Sequence, residues 1–171
     1  ELDRVAADKM GMLATAINAI AVSEVLKNNN INSIVLSASG VTGFSETFSQ
    51  RKAEKYLSKG YVVVFAGGTG NPFFTTDTTA ALRASEIKAD ILIKATQVDG
   101  IYTDDPKKNP SAVKYDKITY REALDKKLKI MDASAFVLCM ENHIAIYVFD
   151  FHKKGNLQKI LSNENIGTIV S

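Results

Sequence analysis

The chain has 171 residues, 46% of them hydrophobic and 23% charged, a make-up that suits one globular domain and excludes wholesale disorder. Its 21 basic and 19 acidic residues leave a net charge of +2, and the basic runs are only the pairs Lys107–Lys108, Lys126–Lys127 and Lys153–Lys154, which read as solvated faces, so no nucleic-acid partner is expected. The single cysteine, Cys139, excludes an internal disulfide; no run of about 18 apolar residues suggests a membrane span, and no signal-peptide pattern opens the chain.

Residues Asp8 to Lys27 carry Met12, Ala16, Ala19, Ile20 and Leu26 at roughly helical spacing and predict a helix. Ser33–Ala38 is a short β-branched run and predicts a strand, followed by a Gly-containing loop at Ser39–Gly43. Thr47–Ser58 predicts a second helix with Gly60 as its stop. Tyr61–Ala66 is apolar throughout, the pattern of a strand buried on both faces. A helix is predicted from Thr76 or Asp77 to Lys88, with Ala80, Ala81, Ala84 and Ile87 on its apolar side, and a strand at Asp90–Lys94. Gln97–Ser111 reads as a loop rich in turn formers. Helices are then expected at Thr119–Leu128, where Thr119 and Glu122 have capping-box spacing, and at Asp132–Asn142. Ile144–Phe149 is a strand, Gly155–Leu161 a short helix and Gly167–Val170 a last strand. Helix and strand in alternation argue for an α/β fold with ligand loops at the strand ends.

Four constellations could carry chemistry. Ala66–Thr79 leaves a strand and enters a helix; Gly67, Gly68 and Gly70 let a ligand approach the main chain, while Thr75, Thr76 and Asp77 lie where helix-terminal N–H groups collect an anion. It is neither a Walker A loop nor a G-x-G-x-x-G motif. Lys94–Pro106 places Thr96 at a strand end, with Tyr102 to lie near a base and Asp99, Asp104 and Asp105 as acceptors. Lys129–Phe136 starts a helix at Asp132, and Asp8 sits near another helix start. For Asp8, Asp77 and Asp132 the competing explanation is helix capping; for the second loop it is turn geometry. Cys139 reads as a buried thiol. His143 and His152 have no partner at metal-ligand spacing, so no metal site is expected.

Together, G-G-T-G-N-P-F-F-T-T-D, K-A-T-Q-V-D-G-I-Y-T-D-D-P and K-I-M-D-A-S-A-F resemble the bacterial-type UMP kinases (uridylate kinases) of the amino-acid kinase superfamily, in order along essentially the whole chain. The resemblance implies a three-layer αβα sandwich around a mainly parallel sheet, with residues 1–171 forming one amino-acid kinase domain. It implies phosphoryl transfer from Mg-ATP to UMP, giving UDP and ADP in pyrimidine nucleotide biosynthesis, with Mg2+ accompanying ATP. Asp8 would bind the UMP ribose. Thr69, Gly70, Asn71, Pro72, Phe73, Phe74, Thr75 and Thr76 would line the UMP pocket, with Thr69, Asn71 and Thr76 reading the uracil. Thr96, Tyr102 and Asp105 would contact ATP, and Asp77 and Asp132 would be the catalytic acidic residues, orienting the phosphate-binding groups and the metal-bound nucleotide. A cytoplasmic homohexamer under allosteric control by GTP and UTP is implied as well. Family members open with a strand and a Lys- and Gly-containing phosphate-binding segment, then a Gly-rich loop and an Arg for the UMP phosphate. None of these precedes Glu1, so the chain is expected to lack its N-terminal third. Each missing cationic group costs on the order of 100- to 1000-fold in rate, and the chain by itself is expected to be poorly active. Two alternatives stay open at this point: a relative that phosphorylates another small acceptor, and a non-catalytic nucleotide-binding or regulatory subunit.

Overall fold

The computed structural model describes residues 2–40, 43–162 and 164–171. The loop expected at Ser39–Gly43 therefore falls partly outside the described residues, at Val41 and Thr42. The chain divides into two compact units, residues 1–87 and 88–171.

In the first unit the elements run α1 (Arg4–Asn28), β1 (Ser33–Ser37), β2 (Glu46–Thr47), α2 (Gln50–Leu57), β3 (Val62–Ala66) and α3 (Thr76–Glu86). α1 starts earlier than its apolar spacing suggests because Asp3 is the N-cap, its carboxylate accepting the Ala6 N–H at 3.1 Å. Only Ala16, Ala19 and Ser23 of this helix are buried. They form a narrow seam of small side chains that lets α1 pack closely on β1 and β3, with Val35 and Ala66 as the facing residues. The Ser23 and Ser33 hydroxyls pair at 2.8 Å within that seam, so neither is left unsatisfied. Ile20, one of the apolar residues at helical spacing, is exposed together with Met10, Leu13 and Ile17. The most apolar 18-residue window of α1 has a mean hydropathy of 1.3 and is only 11% buried, so by length and composition this helix could cross a membrane, contrary to the expectation above. Its buried seam against β1 and β3 shows it here as a helix packed on a sheet.

β1 lies between β2 and β3, all three parallel, with Ser33 opposite Val62 and Ser37 opposite Ala66. The predicted burial of β3 on both faces is corrected: among the described residues it is an edge of its sheet, only Ala66 of it is buried, and Val62 is exposed. α2 begins at Gln50 because the Ser49 hydroxyl caps it, accepting the Lys52 N–H. Glu46 and Thr47, the latter assigned to that helix from sequence, instead extend the sheet beside Leu36 and Ser37. Gly60, at φ 75°, ends the helical segment as its position suggests.

The second unit runs β4 (Ile91–Thr96), β5 (Ile101–Tyr102), β6 (Lys114–Tyr115), β7 (Lys117–Ile118), α4 (Tyr120–Asp125), α5 (Ala133–Glu141), β8 (Ala145–Asp150), α6 (Asn156–Leu161) and β9 (Thr168–Val170). Its main sheet has the order β4-β8-β9-β7, with β4 parallel to β8 and β9 antiparallel to it. Continuous burial belongs to β8, where Ile146, Tyr147, Val148 and Phe149 are all inside. The stretch read as a loop contains β5, which pairs antiparallel with β6. Thr168 ties this ribbon to the sheet: its hydroxyl accepts the Ile101 N–H at 2.9 Å and donates to the Tyr115 carbonyl. α4 has the expected capping box of Thr119 and Glu122.

Cys139 is fully buried on α5, and burial pushes its thiol up to about 11. It is expected to resist a thiol reagent at pH 8 until the protein unfolds, so labelling with and without denaturant should differ by orders of magnitude. Labelling of the native protein at the rate of a free thiol would contradict this placement.

Candidate active site

The loop after β3 is drawn back over the N-terminal half of α1. At Gly67 the backbone has φ 77°, and a Cβ there would stand 2.7 Å from the Ser37 hydroxyl and 3.2 Å from the Ala38 nitrogen, so only glycine fits. The Gly67 N–H donates to the Thr15 hydroxyl of α1 at 2.9 Å, and the Gly70 N–H returns to the Gly67 carbonyl. Thr69 closes a small turn on Asn71, its hydroxyl accepting the Asn71 N–H and donating to the Asn71 carbonyl, both at 3.1 Å. Further on, the Phe73 N–H donates to Asp8 Oδ2 at 2.7 Å, which holds the loop to α1 across 65 residues of sequence.

These links enclose a cavity of about 280 Å³. Of the residues expected around one ligand, Asp8, Thr69, Asn71, Phe74, Thr75 and Thr76 line it. Gly70, Pro72 and Phe73 do not, and the Phe73 ring is exposed, with the Arg4 guanidinium 5.9 Å above it. The wall also takes Ala7, Gly11, Met12 and Thr15 from α1 and Thr79 from α3, which sequence reading did not single out. Their spacing to Asp8, one helical face, was the available signal.

The Asp8 carboxylate accepts the Phe73 N–H and the Arg4 Nε–H, the latter at 2.9 and 3.0 Å to its two oxygens. The Phe73 N–H first, and Arg4 second, hold its pKa below the ordinary 3.8. A lowered folded pKa makes this clamp fully present above about pH 4 and lost as the pH falls through the folded value. The Phe73 amide resonance is therefore expected to stay constant from pH 7 to about pH 4.5 and to move only below that. Movement centred near pH 6 would show the carboxylate to be otherwise engaged.

Of the three acids, Asp8 and Asp77 do not hold the cap positions of their helices, whereas Asp132 does. Asp8 lies inside α1, which Asp3 caps. Asp77 lies in the first turn of α3, which Thr75 caps by accepting the Thr78 N–H at 3.2 Å. Asp132 occupies the N-cap position of α5 but makes no side-chain capping bond.

In the second unit, a cavity of about 540 Å³ is lined by Thr96, Tyr102 and Asp105, the three residues expected to meet a second ligand. The Tyr102 hydroxyl donates to Asp99 at 2.8 Å, a bond that fixes the ring on the cavity wall and, with burial, raises the phenol's pKa. The Thr96 hydroxyl, read from sequence as offered to a ligand, is turned inward: it lies 2.8 Å from the Val98 carbonyl and 3.2 Å from that of Phe149, and accepts the Val98 N–H. Asp104 is a turn residue, accepting from the Asp105 N–H and from Asn109, and both bonds, Asn109 first, lower its pKa. Lys126, Lys127 and Lys129 line the same cavity. The pair Lys126–Lys127 is exposed, as the sequence suggests, yet it borders a pocket rather than bulk solvent alone. Lys126 is oriented by Tyr115, donating to its hydroxyl at 2.9 Å.

A family model described as the amino acid kinase family matches residues 1–150. The chain belongs to the amino acid kinase family. Among curated relatives in this family, uridylate kinases from Brucella anthropi and Brucella abortus are each 53% identical over 99% of the chain and 70% of their own length. Solved family structures agree. The crystal structure of UMP kinase from Ureaplasma parvum matches with a TM-score of 0.95 at 43% identity, over 99% of this chain and 73% of that one. UMP kinase from Bacillus anthracis gives 0.94 at 35% identity, over 99% of this chain and 70% of that one. The expected αβα fold of the amino acid kinases, and the resemblance to its uridylate kinase branch, are therefore those of this chain.

Proposed function

We propose that the protein transfers the γ-phosphoryl group of Mg-ATP to UMP, forming UDP and ADP in pyrimidine nucleotide biosynthesis. The observation that carries this reading is the gathering of Asp8, Thr69, Asn71, Phe74 and Thr76 around one cavity at the start of α3, in a chain 53% identical to uridylate kinases.

The reaction asks for position and charge neutralisation more than for a covalent nucleophile. An oxygen of the UMP phosphate attacks the γ-phosphorus while the bond to the ADP oxygen breaks; the attacking phosphate is already ionised at neutral pH, so no general base is needed. On this reading Asp8 and the turn of Thr69 and Asn71 hold UMP, and the N-terminus of α3 favours its negative charge. Gly70, Pro72 and Phe73 act on the pocket through the backbone path they impose. Tyr102 and Asp105 hold ATP, Thr96 shapes the turn beneath it, and Lys126, Lys127 and Lys129 offset triphosphate charge. Asp77 and Asp132 orient the reacting groups. Mg2+ arrives with ATP as part of the substrate.

Residues 1–171 then belong to one amino-acid kinase domain, and the enzyme is a cytoplasmic homo-oligomer, a hexamer by family resemblance, answering to GTP and UTP. The exposed apolar row of Met10, Leu13 and Ile17 on α1 supports self-association. The deciding experiment measures ADP formation from Mg-ATP with UMP, CMP or acetylglutamate on the natural gene product. Turnover with UMP far above the others is expected; turnover with acetylglutamate instead, or none with UMP, overturns the reading.

A further inference from the structure

One cation in the first unit is buried. Arg83, on α3, is 6% exposed. Its Nη1 pairs with Glu86 at 2.5 Å, and its guanidinium lies 3.9 Å from the centre of the Phe48 ring. Its Nη2 donates to the Gly68 carbonyl at 3.3 Å, and its Nε–H has no hydrogen-bond partner. Burying a guanidinium with one N–H unsatisfied is a poor route to stability, because an apolar side chain of similar volume commonly serves as well or better. The arrangement makes sense if the cation acts on what it touches.

What it touches is the Gly-rich loop. Gly68 has φ 59° and lines the smaller cavity, and the preceding Gly67 N–H is held by Thr15. Thr15 grips the donor side of this backbone and Arg83 grips the acceptor side two peptide groups on. We propose that Arg83 is a positioning residue that fixes the orientation of the Gly68 carbonyl, and with it the Thr69–Asn71 turn that meets UMP. This rests on the UMP reading for its consequence, though not for the clamp itself.

Arg83→Met keeps the volume and removes the charge; Arg83→Lys keeps a charge that can reach the Gly68 carbonyl. In the natural gene product, Arg83→Met is expected to raise the KM for UMP roughly tenfold, the worth of one charge-assisted hydrogen bond, with the KM for ATP unchanged. Arg83→Lys should recover part of that loss. Arg83→Met should also melt within a few degrees of the parent, because the Glu86 carboxylate it leaves behind is 31% exposed and can turn to water. Hydrogen exchange then tests the clamp without any nucleotide: amides of residues 68–71 should exchange about tenfold faster in Arg83→Met, with β1 unchanged. Unchanged exchange in that loop, or equal rises in both KM values, overturns the proposal. Absence of UMP turnover in the parent would remove the UMP reading alone, leaving the exchange result to decide on Arg83.

Discussion

Asp77→Asn in the natural gene product is expected to lower kcat for UMP phosphorylation by about 100- to 1000-fold while shifting the melting temperature by only a few degrees. Asparagine keeps the size of the side chain and removes its charge. The helix loses little, because Thr75 and not Asp77 caps α3. The favourable interaction of a first-turn carboxylate with the helix dipole accounts for about 0.3–1 kcal/mol. A structural role thus predicts a small change in both readouts, and a catalytic role a large change in one. Steady-state kinetics and a thermal melt on the same preparation separate them; a kcat within threefold of the parent would return Asp77 to the ordinary acidic residues of a helix start.

Gly167→Ala is the change expected to cost most in stability, about 3 kcal/mol or more, or roughly 6–12 °C in melting temperature. Gly167 leads into β9, whose residues pair with Ile146, Tyr147 and Val148 of β8. A Cβ at this position would overlap the Val148 carbonyl oxygen and sit 2.8 Å from the Tyr147 ring. Neither can yield. Val148 and Tyr147 are buried, and the Tyr147 hydroxyl is held by the N–H groups of Ile166 and Gly167 at 2.9 and 2.8 Å. Gly11→Ala is the internal control: it meets no atom within 4 Å and lies inside α1, where alanine is the better helix former, so its melting temperature should not fall. Equal melting of the two variants would show that β8 and β9 can separate at no cost.

Much of the fold was legible from local pattern, since helices and strands longer than about five residues announce themselves by periodicity and capping. Thr119 and Glu122 are the clearest instance, a capping box visible in four residues and present in the structure. Two-residue strands such as β5 and β6 were not legible, because their partner is distant in sequence and their hydrogen bonds leave no apolar period. The burial of β3 was overestimated for a related reason: apolarity reports what a strand tolerates, whereas the elements packed on its two faces decide what covers it. At the site, the motif residues identified the loop but not how its hydroxyls are used; Thr96 and Thr69 bond to their own turns, a commitment made by backbone geometry. Arg83 went unnoticed because a single arginine among alanines on α3 reads as a solvent-facing position until the helix is docked.

Phe73 carries a consequence for how this loop responds to selection. It is a non-glycine residue at φ 72°, and the Asp8 carboxylate on its N–H is what holds it there. Glycine or asparagine would relax that backbone by about 1 kcal/mol or more, so a library screened for heat resistance should drift toward them at this position. The same replacements would remove the ring beside Arg4, whose guanidinium also holds Asp8 of the cavity wall. Screens for endurance and for turnover should therefore pull residue 73 in opposite directions, making it a place where the two objectives can be read apart in a single alignment of survivors.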